Sequence, residues 1–247
     1  MGIGGLVPLP SDAIITPVTF HVKRRKLRGF LQACDEAETG KRELSGEWVV
    51  GKRTWQRLQT EWKQTHAGSS TGQKPKARTE RVILYIHGGS SNTFMLGVHL
   101  TYLSISGAYY ISSAASQRLI SIPLAKYTDA RVFALDYRLA PESQFPGPVH
   151  DVAAGYFRLV EDLNIPPENI VLCGDSAGGG LCLALLQYLR DNAYAMPSGG
   201  ILICPWVGEY LKERTLKLCS NICRSDNELQ VLGLEFSVRC RADACFT

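Results

Sequence analysis

The sequence predicts an α/β fold in which a mostly parallel sheet is flanked by helices. Apolar runs of strand length alternate with helix-period segments between about residues 81 and 207, and this alternation is typical of βα units. One run, 170–173, ends in a glycine-rich turn that leads into a second apolar segment of helical length. The 247 residues, of which 20% are charged, suffice for one globular domain with a sizeable core.

Residues 1–80 predict a segment that precedes this core. The first 43 residues show no sustained period and predict mixed loops and a short helix, and 43–55 predicts one or two short strands around two glycines. Trp55, Leu58 and Trp62 follow at spacings of three and four, which predicts an amphipathic helix over 55–65. The remainder, from 66 to 79, is rich in Gly, Ser, Lys and Pro and predicts a linker.

The core over residues 81–207 predicts four strands and three helices. One helix is expected after residue 111, and Pro123 is expected to kink or split it. The expected inward face of that helix consists of Ile111, Ala115, Leu119 and Ile122. The other expected elements are strands over 82–86, 131–137, 170–173 and 200–206 and helices over 149–163 and 181–190.

Ser176 is the strongest candidate for a functional residue. It stands in the turn Gly174-Asp175-Ser176-Ala177-Gly178, between a predicted strand and a predicted helix. This turn matches the nucleophile-elbow pattern G-x-S-x-G and has the strand-to-helix context that the pattern requires. Glycines are needed on both sides because a Cβ there would collide with the strand or the helix. The alternative is an ordinary glycine-rich turn that contains a serine.

Two further motifs precede the elbow. The apolar run 82–86 ends in His87-Gly88-Gly89, and the sequence D-Y-R-L-A-P-E over 136–142 follows another predicted strand. The three motifs, in this order, resemble the hormone-sensitive-lipase-like (GDXG) family of α/β-hydrolases, of the α/β-hydrolase fold-3 type. Members of that family carry H-G-G-G, D-Y-R-L-A-P-E and G-D-S-A-G-G on successive strands.

The resemblance implies a serine carboxylic ester hydrolase that acts on short or medium acyl esters. Ser176 would be the nucleophile, and backbone N–H groups would hold the oxyanion. No cofactor or metal is implied, and the partner would be a small ester molecule. The N-terminal helix would contribute to a cap over the site. The implied oxyanion donors are Gly88, Gly89, Gly107 and Ala177, and the residues that support the motifs are His87, Gly174, Asp175 and Gly178.

The first departure from the family pattern is an insertion in the oxyanion loop. Residues 90–106 separate Gly89 from Gly107-Ala108-Tyr109-Tyr110, and their removal would restore H-G-G-G-A-Y-Y. Oxyanion donors work only when they are fixed about 3 Å from the developing charge, so the insertion threatens the hole. A retained intron translated in frame and an unusual family-specific loop are both open hypotheses.

The second departure concerns the catalytic base. The family carries an Asp and then a His after the serine, whereas the histidines here are residues 21, 66, 87, 99 and 150. His87 is expected to be structural and His150 to be a surface or capping residue. Residues 208–247 lose the βα alternation and predict a divergent tail, which we suspect is read-through into noncoding sequence. We therefore expect a sheet without its C-terminal strands and impaired activity, because serine needs a base.

The charge and hydropathy of the sequence argue against nucleic-acid binding and a transmembrane segment. The net charge is +4, and the basic clusters at 23–28 and 74–81 lack interleaved aromatic residues, so we expect solvated faces and no nucleic-acid partner. No apolar run is long enough for a transmembrane segment, and no signal peptide is apparent.

The eight cysteines show no zinc spacing. Cys173, Cys182 and Cys204 are expected in core elements, which favours a reducing, cytoplasmic setting. The oligomeric state is left open. Two alternatives to an esterase are a non-catalytic relative that binds a small ligand and an unstable mis-spliced product.

Overall fold

Six strands form one sheet in the computed structural model, which describes residues 12–66, 80–89 and 112–206. The strands are β1 Ala13–His21, β2 Glu43–Gly51, β3 Val82–Ile86, β4 Arg131–Asp136, β5 Ile170–Asp175 and β6 Gly199–Ile203. Within the described residues their order is β1-β2-β4-β3-β5-β6. Strands β3 to β6 are parallel, whereas β1 pairs with β2 and β2 with β4 in antiparallel register. The predicted mostly parallel sheet is therefore confirmed.

Helices cover both faces of the sheet. They are α1 Gln32–Glu36, α2 Lys52–His66, α3 Arg118–Tyr127, α4 Gly147–Phe157 and α5 Ala177–Asp191, and α4 continues as a π-helical turn, Arg158–Asp162. Side chains of α4 and α5 pack into the core on one face, and those of α3 pack on the other. Helix α2 contacts α3, β1 and β2. None of the helices among the described residues is long and apolar enough to cross a membrane.

The central strand β3 is buried on both sides. All five of its residues are buried; Leu84 and Ile86 belong to one core cluster, and Ile83 and Tyr85 to the other. This alternation follows from the two-residue period of a strand. A strand that is covered by helices on both faces has no polar side, which explains the continuous apolar run in the sequence.

The N-terminal segment joins this sheet through two strands. The expectation of loops is wrong for residues 13–21, which form β1, whereas the expected short helix is α1. Pro17 obscures the strand pattern, but an edge strand tolerates proline because alternate N–H groups need no ladder partner. Residues 43–55 form one strand that ends at Gly51, and the rest begins α2. The domain boundary at residue 80 stays a prediction.

Two helices expose apolar residues that the sequence grouped on one face. The predicted amphipathic helix is α2, in which Trp55 and Trp62 keep 40% and 62% of their surface exposed. Helix α3 begins only at Arg118, passes through Pro123 without being split, and buries Ser121 and Ala125. Leu119 is 75% exposed because it lies about 200° around the helix from the buried Ser121.

The remaining differences are at element ends and at one cysteine. Helix α5 begins at Ala177, four residues earlier than predicted, and β6 ends at Ile203 instead of 206. Cys173 and Cys182 are buried as expected, but Cys204 is exposed just beyond β6. The segments 67–79, 90–106 and 208–247, for which we predicted a linker, an insertion and a tail, lie outside the described residues.

A buried carboxylate joins the N-terminal segment to the loop after β4. Asp151, which is fully buried, accepts hydrogen bonds from the backbone N–H and the guanidinium Nε of Arg138, at 2.9 and 2.8 Å. It also accepts one from Nη1 of Arg42 at 2.7 Å. Its neighbour His150 is buried as well and lies against Arg42 and Glu38. The prediction that His150 is a surface or capping residue is wrong, because the helix start is covered by residues 38–42.

Asp151→Asn should lower the free energy of unfolding by about 3–5 kcal/mol, because it leaves two guanidinium groups without their shared carboxylate. Asp191→Asn is the matched control, since Asp191 pairs with Arg190 at an exposed position, where a pair contributes about 0–1 kcal/mol. Urea unfolding followed by circular dichroism measures both. Equal losses for the two variants would contradict the role assigned to Asp151.

Candidate active site

Ser176 lies at the bend between β5 and α5. Its φ of 49° and ψ of −116° fall in a region that residues with a side chain rarely occupy, at a cost of the order of 1–3 kcal/mol. The Ser176 N–H donates to the carbonyl of Ile203 at 2.8 Å, and the Ser176 carbonyl accepts from the N–H of Trp206 at 2.7 Å. Hydrogen bonds to β6 and to the residues just after it therefore hold the serine in this conformation.

The two glycines of the motif are required by close backbone contacts. A Cβ added at Gly174 would lie 2.5 Å from the carbonyl oxygen of Gly178. A Cβ at Gly178 would lie 2.6 Å from the carbonyl oxygen of His87 and closer still to that of Ile86. Atoms cannot approach so closely without displacing the backbone. The start of α5 thus packs directly on the end of β3.

Asp175 ties the loop after β3 to the elbow. Its Oδ1 accepts a hydrogen bond from the hydroxyl of Tyr85 at 2.6 Å and one from the N–H of Gly88 at 3.0 Å. Burial, followed by the hydrogen bond to Asp175, raises the pKa of Tyr85 above its ordinary value. The phenol therefore keeps its proton and remains a donor at neutral pH. We did not single out Tyr85 from the sequence, where it forms part of a buried run.

The position of Gly88 requires a correction to the predicted oxyanion donors. Because its N–H already donates to Asp175, Gly88 positions the loop and does not present that hydrogen to a ligand. Ala177 is the first residue of α5, where the N–H has no partner within the helix and the helix dipole favours negative charge. Gly89 is buried beside this turn. Gly107, the remaining predicted donor, lies outside the described residues.

His87 braces the same loop. Its Nδ1 donates to the carbonyl of Gly88 at 3.0 Å, and its ring stacks on Tyr137 with 4.5 Å between centroids. The hydroxyl of Tyr137 in turn donates to the His87 carbonyl at 2.9 Å. The His87 Nε2 lies 3.9 Å from Asp136. Burial lowers the pKa of His87, so the ring is neutral at neutral pH.

The other histidine side chains of the described residues are also engaged elsewhere. His21 lies at the end of β1 with Glu43 at 3.7 Å. His150 contacts Arg42 and Glu38 at the start of α4. Burial, followed by the charge of Arg42, lowers the pKa of His150. The structure thus brings together the predicted nucleophile, the glycines of the elbow and the histidine loop, whereas the described histidines serve other contacts.

Comparison with known proteins identifies relatives of this arrangement. Residues 106–228 match the model of a family described as alpha/beta hydrolase fold. The matched range includes the elbow and the D-Y-R-L-A-P-E motif, and it extends into the segment that we predicted to be a divergent tail.

Two curated relatives carry names that refer to ester chemistry. An acetyl-hydrolase of Streptomyces hygroscopicus is 38% identical over 133 residues, which are 54% of this chain and 38% of that protein. An esterase of Acinetobacter venetianus is 31% identical over 144 residues, which are 58% of this chain and 41% of that protein. The chain therefore spans well under half the length of these relatives.

A solved structure shows the same fold. The crystal structure of an esterase from the bacterial hormone-sensitive lipase family aligns with a TM-score of 0.51 and 27% sequence identity. The alignment covers 87% of this chain and 52% of that chain. Most of this chain thus corresponds to about half of the solved structure.

Gly178→Ala should destabilise the protein by about 3 kcal/mol or more, because the added methyl group overlaps the backbone at the end of β3. Gly200→Ala is the control, since a Cβ there meets only the tip of Leu186, at 3.3 Å. Its effect should stay within about 1 kcal/mol. Denaturant midpoints measure both variants, and a tolerated Gly178→Ala would contradict the close packing of α5 on β3.

The free energy of unfolding should fall as the pH is lowered through about 6.5, the ordinary pKa of histidine. The unfolded chain then binds protons at His87 and His150 that the folded protein, with lowered pKa values, does not bind. His150→Gln should remove up to about 1.4 kcal/mol per pH unit from this slope. Urea unfolding at pH 7.5 and at pH 5.5 (both about one unit from that pKa) measures the change.

His21→Gln is the control for the pH series because it removes a histidine from an exposed position at the end of β1. A slope that His150→Gln leaves unchanged, or that both variants reduce equally, would argue against a buried neutral His150.

Proposed function

Since this chain belongs to the hormone-sensitive-lipase-like family of α/β-hydrolases, we propose that Ser176 is the nucleophile of a carboxylic ester hydrolase site. The observation that carries the proposal is the strained backbone of Ser176 at the strand-to-helix bend, beside the first N–H groups of α5. Such a bend exposes the serine oxygen at the edge of the sheet where the parallel strands end. The names of the two curated relatives support the choice of an ester as substrate.

The proposed reaction begins with attack by Ser176 Oγ on the ester carbonyl carbon. A bond forms between oxygen and carbon, the carbonyl oxygen becomes an oxyanion, and the serine proton passes to a base. Collapse of this intermediate releases the alcohol and leaves an acyl group on Ser176, which water then removes. The N–H groups of Ala177 and Gly89 are the proposed donors to the oxyanion, and the N-terminus of α5 adds its dipole.

No histidine among the described side chains is placed to serve Ser176 as a base. The 247 residues contain no histidine after Ser176, and His87 and His150 hold structural contacts. We therefore propose that the described residues supply a nucleophile and part of an oxyanion hole without a general base. Without a base a serine hydroxyl is a weak nucleophile. Removing that hydroxyl as well lowers the rate of ester hydrolysis only a little further.

Short and medium acyl esters are the proposed substrates. The word acetyl in the name of one relative supports the short end of this range. A non-catalytic role in binding a small ligand is the second candidate, and the engagement of His87 and His150 in structural contacts favours it. The two candidates differ in whether Ser176 becomes acylated.

The test supplies a base in solution. Incubation of the 247-residue chain with p-nitrophenyl acetate and imidazole should acetylate Ser176, because imidazole can accept the serine proton, and the acetyl group should persist since deacylation also lacks its base. Peptide mass spectrometry locates the modification. Without imidazole, turnover should stay near the residual level of about 10³–10⁴ over water, with Ser176→Ala within about tenfold of it.

Ser176→Ala in the presence of imidazole and urea-unfolded protein are the controls, and neither should gain an acetyl group at position 176. No acetylation of folded protein would reject Ser176 as the nucleophile and favour the binding role. A normal esterase rate without imidazole, lost in Ser176→Ala, would instead show that a base is present and reject that part of the proposal.

A further inference from the structure

Helix α2 presents two tryptophans to solvent on one side. Trp55 and Trp62 are seven residues apart, so two helical turns place them one above the other. They are 40% and 62% exposed. Single exposed apolar residues are common on soluble proteins, but a group of large aromatic side chains marks an interaction surface.

A third exposed aromatic residue lies next to α2. Tyr127, at the end of α3, is 83% exposed. Asp129, two residues later, accepts a hydrogen bond from the hydroxyl of Thr54 at 2.7 Å and lies 3.8 Å from Arg57. These contacts hold the end of α3 against the first turns of α2. Tyr127 and Trp55 therefore belong to one region of the surface.

Exposed basic side chains accompany these aromatic side chains. Lys52, Arg53 and Lys63 are exposed, and within the described residues no carboxylate lies at ion-pair distance from them. The side chain of Lys126, at the end of α3, forms an ion pair with the carboxylate of Asp12. The backbone carbonyl of Asp12 accepts a hydrogen bond from the backbone N–H of Lys52 at 2.9 Å, so this pair lies beside the start of α2.

The acidic groups of the region are engaged with other partners. Glu61 pairs with Arg57 at 3.1 Å, Asp129 pairs with Arg57 and Thr54, and Asp12 pairs with Lys126. Lys52 and Lys63 thus remain beside the tryptophans to attract an anionic partner. Trp55, Trp62, Tyr127, Lys52 and Lys63 together form what we term the α2 surface.

We propose that the α2 surface binds the surface of an anionic lipid bilayer. Tryptophan and tyrosine combine an apolar body with a polar group, which suits them to the headgroup layer of a membrane. Lysine and arginine beside them attract anionic headgroups, and this combination on a helix is typical of peripheral membrane attachment. Such a helix lies in the plane of the interface and does not span the bilayer.

The position of the surface leaves the candidate active site accessible. Strand β2 is antiparallel to β4, with Val49 opposite Val132, so α2 begins at the edge of the sheet where the parallel strands start. Ser176 follows the end of β5 and lies at the opposite edge. Membrane attachment through α2 therefore does not require Ser176, and its test is independent of esterase activity.

Lipid is a better match than nucleic acid. Proteins that bind single-stranded nucleic acid stack bases on aromatic rings within a positively charged groove that follows the phosphates. Here Trp55, Trp62, Lys52 and Lys63 lie on one exposed side of a convex helix. The surface of an anionic bilayer is flat and charged, and the rings of Trp55 and Trp62 can insert partly into it, so it fits a convex helix.

Vesicle co-sedimentation tests the proposal with the full chain. The protein should bind vesicles of 70% phosphatidylcholine and 30% phosphatidylserine (about the charge density at which anionic attraction is effective) and not vesicles of phosphatidylcholine alone. The variants Trp55→Ser with Trp62→Ser and Lys52→Glu with Lys63→Glu should each lower binding by about tenfold or more. Added salt should weaken wild-type binding because it screens the charges.

Two control variants separate binding from folding and from charge alone. Lys52→Arg with Lys63→Arg keeps the charge and should bind like wild type. Lys41→Glu with Phe145→Ser changes an exposed lysine and an exposed aromatic residue away from α2 and should also bind like wild type. Lys52→Glu places an acidic residue in the first turn of α2, where it favours the helix, whereas Lys63→Glu places one in the last turn, where it does not, so the fold of this variant is checked separately. Circular dichroism checks each variant.

Several outcomes would overturn the proposal. Absence of binding to anionic vesicles would do so, as would equal losses in the Lys41→Glu, Phe145→Ser control. A lipid-free dimer that Trp55→Ser with Trp62→Ser dissociates, without vesicle binding, would identify a second copy as the occupant. Binding of a labelled single-stranded oligonucleotide in place of vesicles would identify nucleic acid. Ser176→Ala should bind vesicles as wild type does, whatever its activity.

Discussion

The candidate site depends on the contact between the start of α5 and the end of β3. Because β5 pairs directly with β3, the elbow and the histidine loop emerge side by side at one edge of the sheet. Gly178 then approaches the carbonyl groups of Ile86 and His87 so closely that no side chain fits. This approach brings Asp175 within reach of Gly88 and Tyr85. The strained serine and the loop beside it thus become one rigid unit.

The elements that carry local signals were predictable from the sequence. The elbow depends on small residues at fixed offsets, and β3, β4 and β5 depend on short apolar runs, so each pattern is complete within a few residues. Strand β1 was missed because its pattern is interrupted by Pro17 and it is a strand only through pairing with β2. Helix α3 was expected to start too early because the spacing of Ile111 and Ala115 in the sequence continues its apolar period toward the N-terminus.

Roles that depend on distant partners could not be predicted in the same way. Tyr85 resembles any residue of a buried strand until β5 places Asp175 opposite its hydroxyl. His150 and Asp151 resemble a polar helix start until Arg42 and Arg138 surround them. The oxyanion motif indicated which loop is involved but not which backbone N–H can donate to an oxyanion. The N–H of Gly88 cannot, because it already donates to Asp175. Sequence patterns identify residue types, whereas tertiary partners assign each hydrogen bond.

The order of the strands has a consequence for synthesis on the ribosome. Strand β3 lies between β4 and β5, although both neighbours follow it in the chain. The apolar strand β3 therefore leaves the exit tunnel before β4 and β5 have been synthesised. Until then its backbone N–H and C=O groups have no strand to pair with. Of its two neighbours β5 emerges last. The bend that holds Ser176 beside the end of β3 can therefore form only after most of the described chain has been translated.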